Sequence, residues 1–254
     1  MRENPLKQRL KNGENCIGTM VRAHDPAVVE VLGYAGFDFV VIDTEHMTMN
    51  DESLVDLVRA ADLAGMPAIM RVRTKTPGEI LRALDMGARG VIVPQIESAE
   101  EARAAIRAAR FAPLGSRGMA NSTRAAQYGF LDLKEYARLS NEHTLVVIYC
   151  ETLGALREID EIVALEQADV IFIGPTDLAQ ALGLPGEPNH PRVREAVETV
   201  TRKARAAGKA GGTVAADAER ARQLMADGIQ FIALSSDLAM IASQARRHLQ
   251  TLRG

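Results

Sequence analysis

The run FVVIDTEHMTMN at 39–50 sends an apolar strand straight into Asp43, Glu45 and His46. Two carboxylates and an imidazole that close together can bind a metal, form an acid–base dyad, or simply close a strand in polar residues. Other ionisable groups follow apolar runs in the same way. Arg71 ends AIMR, with Arg73 two positions on; Glu151 leaves LVVIYC; Asp177 follows IFIGPT. An arginine in so apolar a strand needs an anion, either a substrate or a structural acid. Acids at strand ends also cap helices, and Asp177 opens the helix-like LAQAL, so capping competes with ligation there. Glu151, with VVIYC behind it, is less suited to capping. His46 taken alone reads as a polar loop residue. Lysines stand at 7, 11, 75, 134, 203 and 209, and only Lys75 lies near these strand ends, so Schiff-base chemistry is poorly supported. Carboxylates gathered without lysine favour a hard divalent cation such as Mg2+ or Mn2+.

The elements that must position these groups alternate along the whole chain. Strand-like runs fall at 16–21, 37–43, 67–72, 89–93, 144–150, 169–173, 209–213 and 230–234. Helical periodicity fills 26–34, 51–64, 77–86, 98–110, 152–165, 190–207 and 215–227, and a last helix is expected at 236–252. Strand–helix alternation implies parallel strands with crossover helices. Eight repeats in 254 residues match the ~250 residues of an α/β (β/α)8 barrel, here a single domain over 1–254. Such barrels carry their chemistry at the C-terminal ends of the strands. All the groups above then share one face, with Gln95-Ile96-Glu97 after the fourth strand and Ser235-Ser236-Asp237 after the eighth. The polar segment 112–130 is too long for a simple connection, and long connections are often functional.

Composition excludes several classes. The net charge is −3 with no basic block, aromatics make up 4% and Trp is absent, so nucleic-acid binding is unsupported. No apolar run approaches the ~18 residues of a membrane span. The polar start MRENPLKQRL does not read as a signal peptide, and two cysteines without metal spacing, Cys16 and Cys150, fit a reduced, cytoplasmic protein.

GFDFVVIDTEH, the strand ending MRV, RGMANSTRAAQYG, ETLGAL and IGPTDLAQALG together resemble the metal-dependent (class II) pyruvate aldolases of the HpcH/HpaI family, which act on 4-hydroxy-2-oxoheptanedioate, 2-dehydro-3-deoxyglucarate and related acids. The resemblance runs from about residue 16 to 245. It implies a (β/α)8 barrel, a homo-hexamer built as a trimer of dimers, and a last helix exchanged between subunits. It implies Glu151 and Asp177 as ligands of Mg2+, Mn2+ or Co2+, and Arg71 as the contact to the keto oxygen of pyruvate. It implies His46 as the catalytic histidine, with Asp43 and Asp85 as its carboxylate partners. The amides of Thr176 and Asp177 would receive the substrate carboxylate, and Gly118 with the 112–130 loop would help close the pocket. The implied reaction is reversible cleavage of 4-hydroxy-2-oxo acids, such as those of aromatic or sugar acid catabolism, to pyruvate and an aldehyde. The family's Gln-Ile-Glu is here Tyr149-Cys150-Glu151, and Gln95-Ile96-Glu97 is a decoy after another strand. Arg73, Arg117 and Arg124 fit either a distal substrate carboxylate or salt bridges between subunits. The rivals are an oxaloacetate decarboxylase on the same site and a non-catalytic carboxylate-binding barrel. An acyl-CoA enzyme would need a phosphate site, and no basic cluster stands out in the sequence to serve one.

Overall fold

Eight parallel strands close into a barrel in chain order, β8 pairing with β1. The computed structural model describes residues 3–254. The strands are β1 (Cys16–Val21), β2 (Phe39–Asp43), β3 (Ala68–Arg71), β4 (Gly90–Val93), β5 (Leu145–Cys150), β6 (Val170–Ile173), β7 (Ala210–Ala215) and β8 (Phe231–Ser236). The helices are α1 (Pro5–Lys11), α2 (Pro26–Tyr34), α3 (Asp51–Leu63), α4 (Pro77–Asp85), α5 (Ala99–Ala109), α6 (Leu133–His143), α7 (Leu153–Arg157), α8 (Ile159–Val163), α9 (Pro175–Ala181), α10 (Pro191–Ala206), α11 (Ala218–Ala226) and α12 (Asp237–Arg253). No helix among the described residues is long and apolar enough to cross a membrane.

Strands covered on both sides are apolar on both sides. Val40 and Ile42, Met70, Val91 and Val93, and Val146 and Ile148 pack outward under the helices. Phe39 and Val41, Ile69, Ile92, Leu145 and Val147 belong to the separate inner cluster. Side chains alternate with a period of two, so each inner series can be continued by counting. Phe39-Val41 leads to Asp43, Ile69 to Arg71, and Leu145-Val147 to Tyr149 and Glu151. The period that fills the core thus turns the functional groups into the barrel mouth.

Rings fill the interior. Phe39 stacks on Phe231 at 4.2 Å between centroids, Phe231 meets Phe172 edge-on at 5.9 Å, and Phe172 stacks on Tyr149 at 5.0 Å. Glycines make room for them: a Cβ at Gly18 would run into the Phe39 ring, and one at Gly212 would press on Phe172.

Three features depart from the sequence reading. The region expected as one helix over 152–165 is two short ones, α7 and α8, broken at Glu158, whose carboxylate instead accepts the Ala99 amide at the start of α5 (2.8 Å). The helix α6 follows the 112–130 segment, and α1 precedes the first strand; neither was expected. Leu6 and Leu10 of α1 join the inner cluster, so α1 plugs the base of the barrel. Lys7 on the same helix donates to the Thr144 carbonyl (3.0 Å) and pairs with Asp169 (3.1 Å). At the other end of the chain, α12 leaves the barrel. Only Asp237 in it is buried, and Leu238, Ile241, Leu249 and Leu252 are exposed.

Burial pulls the Lys7 ammonium down to about 8, against the opposing pull of Asp169. An unfolded chain keeps that proton up to about 10.5. Between these values the unfolded state binds more protons, so this group makes stability rise with pH. Denaturant unfolding from pH 7.5 to 10.5 is expected to show a Lys7-dependent rise that Lys7→Met removes; parallel curves for the two proteins would refute it.

Candidate active site

Asp43 and Arg71 are Cα partners at the ends of β2 and β3, both facing inward. Arg71 donates from Nε to Asp43 Oδ1 (3.0 Å) and from Nη2 to Oδ2 (2.6 Å). Both residues are buried, and this two-pronged geometry is the one in which a guanidinium and a carboxylate bind best. Asp43 also accepts the main-chain amide of His46 (3.3 Å) and Arg22 Nε (3.3 Å). Burial alone would lift the Asp43 carboxyl, but the bonds and charge of Arg71 outweigh it and hold it below the ordinary carboxylate range. Thr44 donates to the Arg71 carbonyl from both its amide (3.1 Å) and its hydroxyl (2.6 Å). Asp43 therefore clamps Arg71 and ties down the chain at His46, rather than bonding the imidazole ring.

The remaining carboxylates meet on the other side of Arg71. Glu45 Oε2 lies 3.3 Å from Arg71 Nη1, yet it is buried and poorly aligned, with no hydrogen bond of its own. Glu151 accepts the Gln95 amide (2.7 Å). Burial, and after it the charges of Asp177 and Glu45, push the Glu151 carboxyl well above the usual carboxylate range, with the Gln95 amide pulling the other way. A carboxyl raised in this way by neighbouring acids, beside an orphaned carboxylate oxygen, fits a hard divalent cation. Among the described residues no group of three or more His, Cys, Asp and Glu side chains is placed to hold such an ion. Glu151 and Asp177 would therefore act as a two-carboxylate edge, completed by oxygens from outside the chain.

Gln95 organises this side, and the sequence reading dismissed it as part of a decoy. It sits at φ 56°, a left-handed backbone uncommon for a residue with a side chain. That turn aims its amide at Glu151, its side-chain Nε2 at Glu45 Oε1 (3.0 Å) and its carbonyl at Lys75 Nζ (2.9 Å). Lys75 is further tied to Glu101 (2.6 Å), so it is not free for the cavity. Asp237 was noted only for its place after the eighth strand. It is buried and accepts the main-chain amides of Arg22 and Ala23 (both 2.9 Å), which fixes the loop that carries Arg22.

A cavity of about 600 Å3 opens over these groups, lined by Arg22, His46, Arg71, Tyr149, Thr176 and Asp177 among others. The Tyr149 ring lies 5.8 Å from the Arg71 guanidinium, and Gly174 gives it room, since a Cβ there would collide with the ring. The first main-chain bond of α9 runs from Leu178 to the Gly174 carbonyl (2.9 Å), so the Thr176 and Asp177 amides precede any intrahelical partner.

Two expected residues lie elsewhere. Asp85 ends α4 and pairs with Arg117 (2.7 Å). Gly118 faces only Leu81, and its loop lines a separate cavity of about 390 Å3 through Arg117, Arg124 and Tyr128. Within one chain neither reaches His46. The arginines considered for a distal carboxylate all have internal partners: Arg73 with Asp51 (3.3 Å), Arg117 with Asp85, and Arg124 with Asp62 (2.5 Å).

A family model described as HpcH/HpaI aldolase/citrate lyase matches residues 17–243. The chain belongs to the HpcH/HpaI aldolase family. A 2-dehydro-3,6-dideoxy-6-sulfogluconate aldolase of Pseudomonas putida is 35% identical, over 96% of this chain and 95% of its own length. A hydroxypyruvate/pyruvate aldolase of Pseudomonas aeruginosa is 36% identical over 96% and 90%. Among solved structures, an HpcH/HpaI aldolase/citrate lyase family protein from Burkholderia cenocepacia J2315 superposes with a TM-score of 0.93 at 34% identity, covering 99% of this chain and 100% of the other. Membership of the HpcH/HpaI family makes this chain an enzyme of the aldolase type, a lyase.

Removing one partner of a buried, hydrogen-bonded ion pair leaves the other charge stranded. Asp43→Asn is therefore expected to lower the unfolding free energy by about 3–5 kcal/mol. Its stabilising effect is present above the usual carboxylate range and lost as pH falls through the lower folded value, so the variant should also lose that acid limb. Chemical denaturation at pH 7 and pH 3 measures both; a change below about 1 kcal/mol would mean that the pair is incidental.

Proposed function

We propose that this HpcH/HpaI enzyme is a divalent-metal-dependent aldolase that cleaves 4-hydroxy-2-oxo acids reversibly to pyruvate and an aldehyde. The observation that carries the reading is Arg71: a guanidinium fixed by Asp43, facing a cavity shared with Asp177 and His46. Cleavage of the C3–C4 bond leaves its electrons on the pyruvate half as an enolate, and a rigid cation beside the oxygen that becomes negative lowers that barrier. Bound at Glu151 and Asp177, a divalent ion would supply Lewis-acid stabilisation at the same oxygen.

The chain's own residues account for the rest. An imidazole exchanges protons near neutral pH, and His46 would take the 4-hydroxyl proton as the aldehyde leaves. The enolate then picks up a proton at C3 and becomes pyruvate. The Thr176 and Asp177 amides would hold the substrate carboxylate. Arg71 donates both of its Asp43-facing nitrogens inward to the barrel wall, which fixes how its remaining edge meets the keto oxygen. Asp85, Gly118 and the 112–130 loop would act only from a neighbouring subunit, in a homo-hexamer assembled with exchange of α12. The exposed leucines and isoleucine of that helix support such an assembly. Two free cysteines, both buried, are in keeping with a cytoplasmic protein.

Purified protein with Mg2+, Mn2+ or Co2+ is expected to release pyruvate from one or more members of a 4-hydroxy-2-oxo acid panel, followed in a coupled assay. Pyruvate from oxaloacetate alone would point to the decarboxylase, and none from any substrate would end the aldolase reading. Glu151→Ala and Asp177→Ala should abolish metal binding in calorimetry. His46→Ala should keep metal binding and lose at least about a hundredfold in turnover, the usual scale of a general base.

A further inference from the structure

A cleft of about 670 Å3 runs between α10 and α11 on the outside of the barrel. It borders the catalytic cavity: Arg194, Val197, Arg220 and Leu224 line both. Three of its arginines, Arg194, Arg202 and Arg205, stand on α10, and Arg220 stands on α11. On α10 they belong to a stripe that Thr201 and Glu198 share, at spacings of three or four residues. The helix begins at the catalytic end of the barrel, and from Arg194 to Arg205 it rises about 16 Å. The stripe therefore leads from the cavity mouth down the flank.

None of these four guanidiniums makes an ion pair among the described residues. The acids lining the cleft are Glu198 and Asp227, two against four, so the cleft is locally positive in a chain of net charge −3. Arg205 has a local explanation, since cations are favoured in the last turn of a helix. Arg194 has none: it stands near the start of α10, where the dipole opposes a cation, and α10 has no acid in its first turn. Arg220 has Glu219 beside it in the first turn of α11 and donates from Nη1 to Gln223 Oε1 (3.2 Å). Independently of the charges, Thr201 is 3% exposed, lines the cleft, and its hydroxyl has no hydrogen-bond partner.

Guanidinium forks match phosphoryl oxygens in pairs, and an array of them over about 16 Å is longer than one carboxylate needs. We infer that the α10–α11 cleft is a second anion site, taking a small molecule with two or more phosphate groups in line. The ligand is either the tail of a substrate whose reacting end occupies the catalytic cavity or a separate oligophosphate. This basic cluster escaped the sequence reading because its members are spread from 194 to 220 and meet only across two helices.

The probe is tripolyphosphate, titrated calorimetrically into the full chain at low ionic strength with EDTA present, so that no metal can recruit it. Saturable binding is expected, weakened at least about tenfold by Arg202→Ala/Arg205→Ala and weakened also by added salt. Both arginines are exposed and outside the catalytic cavity, so the double variant should keep its melting temperature. Absence of saturable binding overturns the site. Equal binding by the double variant overturns it too, and if that variant also changes the molar mass in light scattering, the cleft belongs to an interface between copies. In the metal-loaded enzyme, with metal in excess of tripolyphosphate, competition with substrate that the double variant loses assigns a substrate tail. Binding without any effect on KM assigns a separate ligand. The calorimetry needs no turnover, so it stands or falls apart from the aldolase reading.

Discussion

The buried pair of Asp43 and Arg71 sets the geometry of the whole barrel mouth. Taking two charges out of water costs several kcal/mol for each, and only a well-formed, multiply bonded pair offsets that. Here two donors of Arg71 meet both oxygens of Asp43, and strand register brings the two residues opposite one another. From this pair the network spreads both ways. Arg22, held in place by Asp237, closes on Asp43, while Glu45, Gln95 and Glu151 follow on from the free edge of Arg71. One arginine cannot neutralise this many acids. Asp43 pairs with two of its nitrogens, and the charges of Asp177 and Glu45 help push the Glu151 carboxyl upward.

The aromatic column beneath supplies the second constraint. Packed rings from Phe39 to Tyr149 fill the barrel interior, so the polar groups above them sit on an apolar floor. Low dielectric strengthens every charge interaction at that boundary. Tyr149 belongs to both regions, packed on Phe172 below and near the Arg71 guanidinium beside it. An amide side chain at that position could do neither as well, since it lacks an aromatic ring.

The barrel was legible in the sequence because its signals are local and repeated: apolar runs, helical periodicity, and a register of two that carries Asp43, Arg71 and Glu151 inward. What escaped was set by tertiary contacts. The break at Glu158 depends on an amide of another helix, α1 depends on a barrel base to plug, and neither leaves a mark in local periodicity. In the site, Arg71 and Asp43 were both singled out, but not as partners, because pairing across strands depends on register. Gln95 was set aside because its motif follows the wrong strand for a ligand. Its part is played by a main-chain amide turned left-handed, which residue type does not announce. A lone sequence also could not show that Asp85 is taken by Arg117.

The α1 plug gives the enzyme a single door. With leucines sealing the base and rings filling the middle, everything that reaches Arg71 must come and go past the mouth. In the cleavage proposed above, the fragment seated on Arg71 would lie behind the other and could not leave first. Departure would then be sequential: the aldehyde first, pyruvate last. In the synthetic direction the same queue would reverse, with pyruvate aboard before the aldehyde arrives.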